Sequence, residues 1–503
     1  MNLSVPSSFR PPGALPPAPL APYTGPWNAR LAAHLLRRAG FGGSPAEIVR
    51  FATGTINANV DEMLRFPATD ALPPPATDEE RPTGMLGTIR RKKLADPAAM
   101  SMSMPTSPAD DAAAARRRKT FARMRRAQAI VNVTWWLDRM LATPAPLQEK
   151  MTLFLHGHFA TATNQKGIYG RDIVEQNALL RRYALGNFKA LTHDIARDRA
   201  MLKWLDGARS DKAHPNENFA RELMELYTLG VGNYTENDVR ESARAFTGYT
   251  FSRRTGEFAF VASRHDDDSK SFLGRTGNFN GDDIVDIIFA QPAASIFLAR
   301  KLLEFFVYSD PEPELVADVA TALEKHDFEL KPVVATLLRS NVFYSERAYR
   351  ALVKSPVEFV VGSYRLFGTK TISPQTLAVL GRMGQIPFRP PSVKGWDGGA
   401  AWLNTQTVLA RENFASALMS AQDGSAAGGI FGDRPSADAP AAARRLVDAI
   451  LQGDASPAAF AKLEAYLNGR DTSANGALSG ENFEERMRGA AYLVMAMPAY
   501  QLS

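Results

Sequence analysis

An all-α fold is the expectation from sequence: one large multi-helix domain with long irregular loops and little or no sheet. Two observations predict it. Apolar residues recur at spacings of three and four along most of the chain, while alternating runs are very few. Helix start signals recur as well, with the stretches from Ser44 to Glu47 and from Thr235 to Asp238 each reading as a capping box. A length of 503 residues exceeds one compact core of ordinary size, so at least twelve helices are expected.

Residues 1–28 are rich in proline and are expected to be a disordered arm. The main helical domain is expected over 29–422. It opens with a helix on which Leu31, Leu35 and Ala39 share a face with His34 and Arg38 nearby, and Gly40, Gly42 and Gly43 close it. Ser44, with Pro45 at the first helical position, starts the next helix. Residues 67–112 lose all useful period and are expected to be a mobile insertion, a lid or a loop. A long helix follows, with a basic start from Arg116 to Arg126 that reads as a solvated face or as a contact for a phosphate- or carboxylate-bearing ligand.

The next helix carries Leu147, Met151 and Leu155 and runs into His156-Gly-His158. Histidines two apart face opposite ways in a continuous helix and converge only if Gly157 breaks it. Residues 171–206 read as helix interrupted at 186–188. The stretch 215–251, PNENFARELMELYTLGVGNYTENDVRESARAFTGYTF, is the organising motif. Its first helix has Asn216 as cap and a face of Phe219, Leu223, Leu226 and Tyr227. Glu222 falls on the shoulder of that face, with Asn218 on the same side and Glu217 and Arg221 further round. A carboxylate there must be paired, hydrogen-bonded or metal-bound. Either Glu222 meets an arginine of a neighbouring helix, or Asn218, Glu222 and Glu217 line a polar site.

Residues 258–261 read as a short strand. The loop from Arg264 to Lys270 gathers His265, Asp266, Asp267 and Lys270, groups able to act as ligands or proton carriers. Helices resume over 281–345 and 355–367. Residues 390–402, PPSVKGWDGGAAW, cannot be regular. Their Trp396 and Trp402 are either packed down or offered as stacking platforms beside Lys394. A linker is expected at 423–444, then C-terminal helices over 445–503 packing on the main domain.

Composition removes several functions. With no cysteine, disulfides, thiolate metal sites and cysteine nucleophiles are excluded. A net charge of +6 is too small to argue for nucleic acid, and none is expected as a partner. No transmembrane segment and no secretory signal are expected from the sequence. Phosphate-loop, dinucleotide and Gly-x-Ser-x-Gly patterns are missing as well.

Several segments together resemble one bacterial family, catalogued as domain of unknown function 1800. They are HLLRRAGFG at 34–42, LFLHGHFAT at 153–161, the organising motif at 215–249, HDDDSKSFLG at 265–274, VKSPVEFVV at 353–361, PPSVKGWDGGAAWLNT at 390–405 and the ending MPAYQLS. The resemblance covers about 30–503. It implies a largely helical protein, often exported and so periplasmic or secreted, and often found beside an alkaline-phosphatase-like protein, which becomes the expected partner. Many relatives carry asparagine at Gly157.

The residue types allow a hydrolase acting on a cell-envelope glycan or phosphoester. Glu217, Glu222, His265, Asp266, Asp267 and Lys270 would be catalytic, and Asn218, Arg221, Lys394, Trp396 and Trp402 would bind the ligand. His156, His158, Glu222 and His265 would hold a divalent metal such as zinc, manganese or iron. The alternative is a non-catalytic helical scaffold that binds an envelope partner, with the same residues packed inside as ion pairs.

Overall fold

Many of the helices begin where a side chain satisfies their free N–H groups. Ser44, Thr235, Asn280 and Ser355 each close a capping box with the acidic residue three positions on, and Pro45 and Pro356 take the first helical position. Gly368 and Gly384 end their helices in the left-handed conformation that glycine adopts without a Cβ penalty. The computed structural model describes residues 15–67, 72–76, 108–420, 428–431, 438–469 and 482–503. It is 61% helical, and the fold is predominantly all-α. Sheet among the described residues is confined to two antiparallel hairpins. Tyr249–Phe251 pairs with Phe258–Phe260, and Lys270–Phe272 pairs with Arg275–Gly277.

One hydrophobic core runs through the described helices. The 35-residue helix Pro108–Ala142, about 52 Å long by its rise per residue, buries Val133, Trp136, Leu137 and Met140 at its C-terminal end. Under that end lies Glu149, fully buried in the helix Pro146–His158. Arg139 and Arg181 both hold its carboxylate, and the Trp136 indole N–H donates to it at 2.8 Å. Those bonds keep Glu149 ionised against burial, which would otherwise raise its pKa; the balance lies below the ordinary carboxylate value.

The expected disordered arm is corrected for its described part. Residues 15–28 lie along the turn at 339–342. Tyr23 N–H donates to Arg339 at 2.7 Å, and Val342 N–H donates to Pro19 at 2.9 Å. The prolines bar helix here, so outside a turn in which Ala21 N–H bonds the Ala18 carbonyl the backbone groups are free for a neighbour, and the Tyr23 and Trp27 rings pack against Tyr344. Residues 1–14 lie outside the described residues. So does most of the insertion expected at 67–112; within it, the Leu72 carbonyl accepts from Trp135 and Arg139. The segment expected as linker contains helix Gly428–Phe431, with Ile430 and Phe431 buried, and the start of helix Ala439–Leu451. The C-terminal helices end in a segment stitched to the main body: Val353 bridges Leu502, and Lys354 N–H donates to Gln501 at 2.9 Å.

Candidate functional site

The organising motif departs from a uniform helix at its centre. Glu217–Glu222 is α-helical, but Leu223–Thr228 is a π-helix. Leu229 N–H bonds the Met224 carbonyl at 2.9 Å and the Thr228 hydroxyl bonds Leu223 at 2.5 Å, both five residues back. The wider turn brings Met224, Tyr227 and Thr228 inward, while Leu226, expected in the core, is only partly buried. Glu222 sits at the transition. It is half-buried on the shoulder of the core, and no hydrogen bond or ion pair holds its carboxylate among the described residues. The arginine partner expected for it is therefore not found. Burial, with a smaller push from Glu225, raises its pKa.

The two histidines of the H-G-H motif do not converge. The helix Pro146–His158 continues through Gly157, so the rings leave on opposite sides. His156 enters an aromatic cage of Trp136, Phe388 and Trp396, where its Nε2 accepts the Phe388 backbone N–H at 3.0 Å. His158 packs against Phe159, Phe188 and Tyr227 and bonds the Tyr227 carbonyl at 2.9 Å. Burial depresses both to a pKa of about 3, helped at His158 by the Lys301 charge. Both are neutral structural groups at ordinary pH.

The third histidine is elsewhere. His265 is buried against Phe260, with Nδ1 2.9 Å from the Thr247 carbonyl. Beside it, Asp266 takes both ends of the Arg244 guanidinium, at 2.7 and 3.1 Å. Those charge-assisted bonds lower its pKa. Lys270 is buried, with its ammonium on the Asp266 and Asp268 carbonyls at 2.6 and 3.0 Å. The hairpin that follows is tied to helix Glu236–Ala245 through Ser271 N–H on Glu241 and Leu273 N–H on Asp238. The loop expected to carry chemistry is thus a clamp between a hairpin and a helix. Asp267 points outward and is exposed.

Other candidates are surface groups. Arg221 joins Glu217 and Glu236 at 3.2 and 2.7 Å, linking two helices, and Asn218 is exposed. Lys394 faces Asp397 at 3.5 Å, both exposed. Trp396 is half-buried on His156, and Trp402 is partly buried near Gly398 and Gly384. Among the described residues no group of three or more His, Cys, Asp or Glu side chains is placed to hold a metal. The set His156, His158, Glu222 and His265 is corrected accordingly: three separate backbone partners claim the three imidazoles.

A different set converges, drawn from HLLRRAGFG, VKSPVEFVV and the final helices. Between helices Ala29–Arg38, Pro356–Phe367 and Ala439–Leu451 lies a small cavity of about 40 Å³, open on one side to solvent. Arg37, Lys354, Glu358, Gln452 and Tyr500 line it, with Ile48, Leu366 and Ile450 as apolar walls. Close packing of its rim needs Gly362, where a Cβ would meet the Phe41 carbonyl at 2.9 Å. Arg38 and Arg411, each 1% exposed, are buried just behind. In sequence, Arg37 and Arg38 fall within HLLRRAGFG and Lys354 within VKSPVEFVV, segments with no spacing that brings them together.

The chain has been compared with known proteins. It matches the family described as Protein of unknown function (DUF1800) over residues 34–502. The chain belongs to the DUF1800 family. No curated protein and no solved structure matches it. The DUF1800 motifs therefore read, in this chain, as three kinds of unit: the His156 cage, the clamp around Asp266, and the cationic cavity.

Proposed function

We propose that this DUF1800 protein is a non-catalytic helical scaffold that binds an envelope partner. The observation that carries this reading is the locking of His156, His158 and His265 onto the Phe388 N–H and the Tyr227 and Thr247 carbonyls. Imidazoles bonded in this way, and neutral at ordinary pH in the case of His156 and His158, hold helices and loops in register; they do not shuttle protons. The family resemblance makes an alkaline-phosphatase-like protein the first partner to try. No helix of the described residues is long and apolar enough to cross a membrane.

A second reading, hydrolysis of an envelope glycan or phosphoester, rests on Glu222. A half-buried carboxyl with a raised pKa, free of partners and placed where an α-helix becomes a π-helix, has the environment of a general acid. The test compares wild type with Glu222→Gln on soluble glycan and phosphomonoester substrates, beside a mixing experiment with the alkaline-phosphatase-like protein read by size-exclusion chromatography. The scaffold reading expects a stable complex that forms equally with either variant, and no turnover. Turnover by wild type that disappears in a folded Glu222→Gln protein would replace the scaffold with the hydrolase.

A further inference from the structure

Among the described side chains around the cavity, cations outnumber carboxylates. Lys150 takes Glu358, whose other oxygen accepts the Ser355 N–H at 2.6 Å. Arg350 takes Asp454, which also accepts from Arg30 and the Tyr349 hydroxyl. Among the described residues, Arg37, Arg38, Lys354 and Arg411 are left with neutral acceptors only. Arg37 reaches the Gln452 amide oxygen at 2.6 Å, Arg38 the Ala348 carbonyl at 2.5 Å, Lys354 the Tyr500 carbonyl at 2.7 Å and Arg411 the Lys354 carbonyl at 2.7 Å. Buried nitrogens remain without a partner among the described residues: Nε and Nη2 of Arg37, Nε and Nη1 of Arg38, and Nε of Arg411. Leaving buried, charged donors unsatisfied is among the costlier things a fold can do.

We propose that this cavity is a binding site for an oxyanion head group, a phosphate or a carboxylate, gripped by Arg37 and Lys354 with Arg38 and Arg411 supplying field from behind. The geometry fits that class of ligand. A guanidinium fork matches two oxygens of a phosphate or carboxylate, and a neighbouring ammonium adds a point charge. The apolar wall of Ile48, Leu366 and Ile450 suits a short hydrocarbon stem on the head group. Burial lowers the pKa of Arg37 and Arg411 to about 10 and of Arg38 to about 9, helped at Arg37 by the Arg350 charge and at Arg38 by Arg37, so all three keep their charge at neutral pH. Lys354 is lowered well below the ordinary lysine value, by burial and then by Arg37, Arg350 and Arg411. An arriving anion raises the proton affinity of every one of them, so binding and lysine protonation reinforce each other.

The experiment is calorimetric titration of the full chain with inorganic phosphate and, separately, with acetate, at ionic strength held constant with sodium chloride. Wild type is expected to bind at least one of them saturably, the preferred anion identifying the head group. Arg37→Gln and Lys354→Met should weaken binding about tenfold or more, while Arg182→Gln, a change in an exposed pair with Asp194, should leave it alone. Gln452→Glu keeps the proposal falsifiable if the first two variants fold poorly. It sets a carboxylate against Arg37, and should raise the melting temperature without ligand while abolishing anion binding. Absence of saturable binding to both anions, or full binding retained in Gln452→Glu, overturns the site.

Discussion

Nε2 of His158 lies 2.9 Å from the carbonyl oxygen of Tyr227. A carbonyl only accepts, so this nitrogen carries the proton, and the bond ties the H-G-H helix to the π turn. His158→Phe retains a ring among Phe159, Phe188 and Tyr227 but strands that carbonyl. It should cost about 1–3 kcal/mol. His158→Ala loses the packing too and should cost about 2–4 kcal/mol. Chemical denaturation of both variants checks the order; equal loss would mean that the hydrogen bond alone matters.

Acid should unfold this protein early. The folded-state pKa of His156 and of His158 is about 3 against an ordinary 6.5. The unfolded chain therefore takes up protons that the folded chain refuses. Stability is fully present above pH 6.5 and is lost as pH falls toward 3, by roughly 2 kcal/mol for each histidine at pH 5. Melting temperatures between pH 7.5 and 4.5 report the slope, and His156→Phe should flatten it.

Glu149→Gln should be among the most damaging single changes. It removes the buried charge that Arg139 and Arg181 both hold, at about 3–5 kcal/mol. Glu62→Gln, which loses only an exposed pair with Arg50, should cost less than about 1 kcal/mol. Denaturation midpoints of the two variants measure the contrast.

Two glycines that touch one another should respond in opposite ways. Gly395 has φ +83°, and a Cβ there would lie 2.4 Å from the Gly157 carbonyl oxygen, so Gly395→Ala should cost about 2 kcal/mol or more and loosen Trp396 from His156. A Cβ on Gly157 would meet nothing within 4 Å. Gly157→Asn, the residue many relatives carry, should be neutral or gain up to about 0.5 kcal/mol in the helix. Melting curves decide both, and Trp fluorescence follows the loosening in the first.

The parts of the fold that were legible in sequence are those written locally. Thr235 with Asp238, and Ser44 with Glu47, announce their helices because both partners of each cap lie within four residues. The piece read as a short strand or extended segment over 258–261 is a strand at Phe258–Phe260. What sequence could not convey is which distant segment claims a side chain. His156 looks like a ligand until Phe388, 232 residues away, supplies the N–H. Glu222 was rightly placed at the edge of the core, but no local period announces that the next turn is π, so its neighbours were misjudged. Arg37 and Gln452 meet across 415 residues. Their charge balance exists only once the helices have packed.

The π turn at Leu223–Thr228 also gives the motif slack in length. An α-helical closure of the same stretch would need one residue fewer. Removing any single residue there would let the segment wind as a regular α-helix, with the residues on either side kept in phase. What would be lost is the wide turn itself, with its bonds five residues back at Leu229 and Thr228 and the inward setting of Met224, Tyr227 and Thr228. A deletion in the α-helical turn before it has no such slack and would rotate all that follows by about 100°.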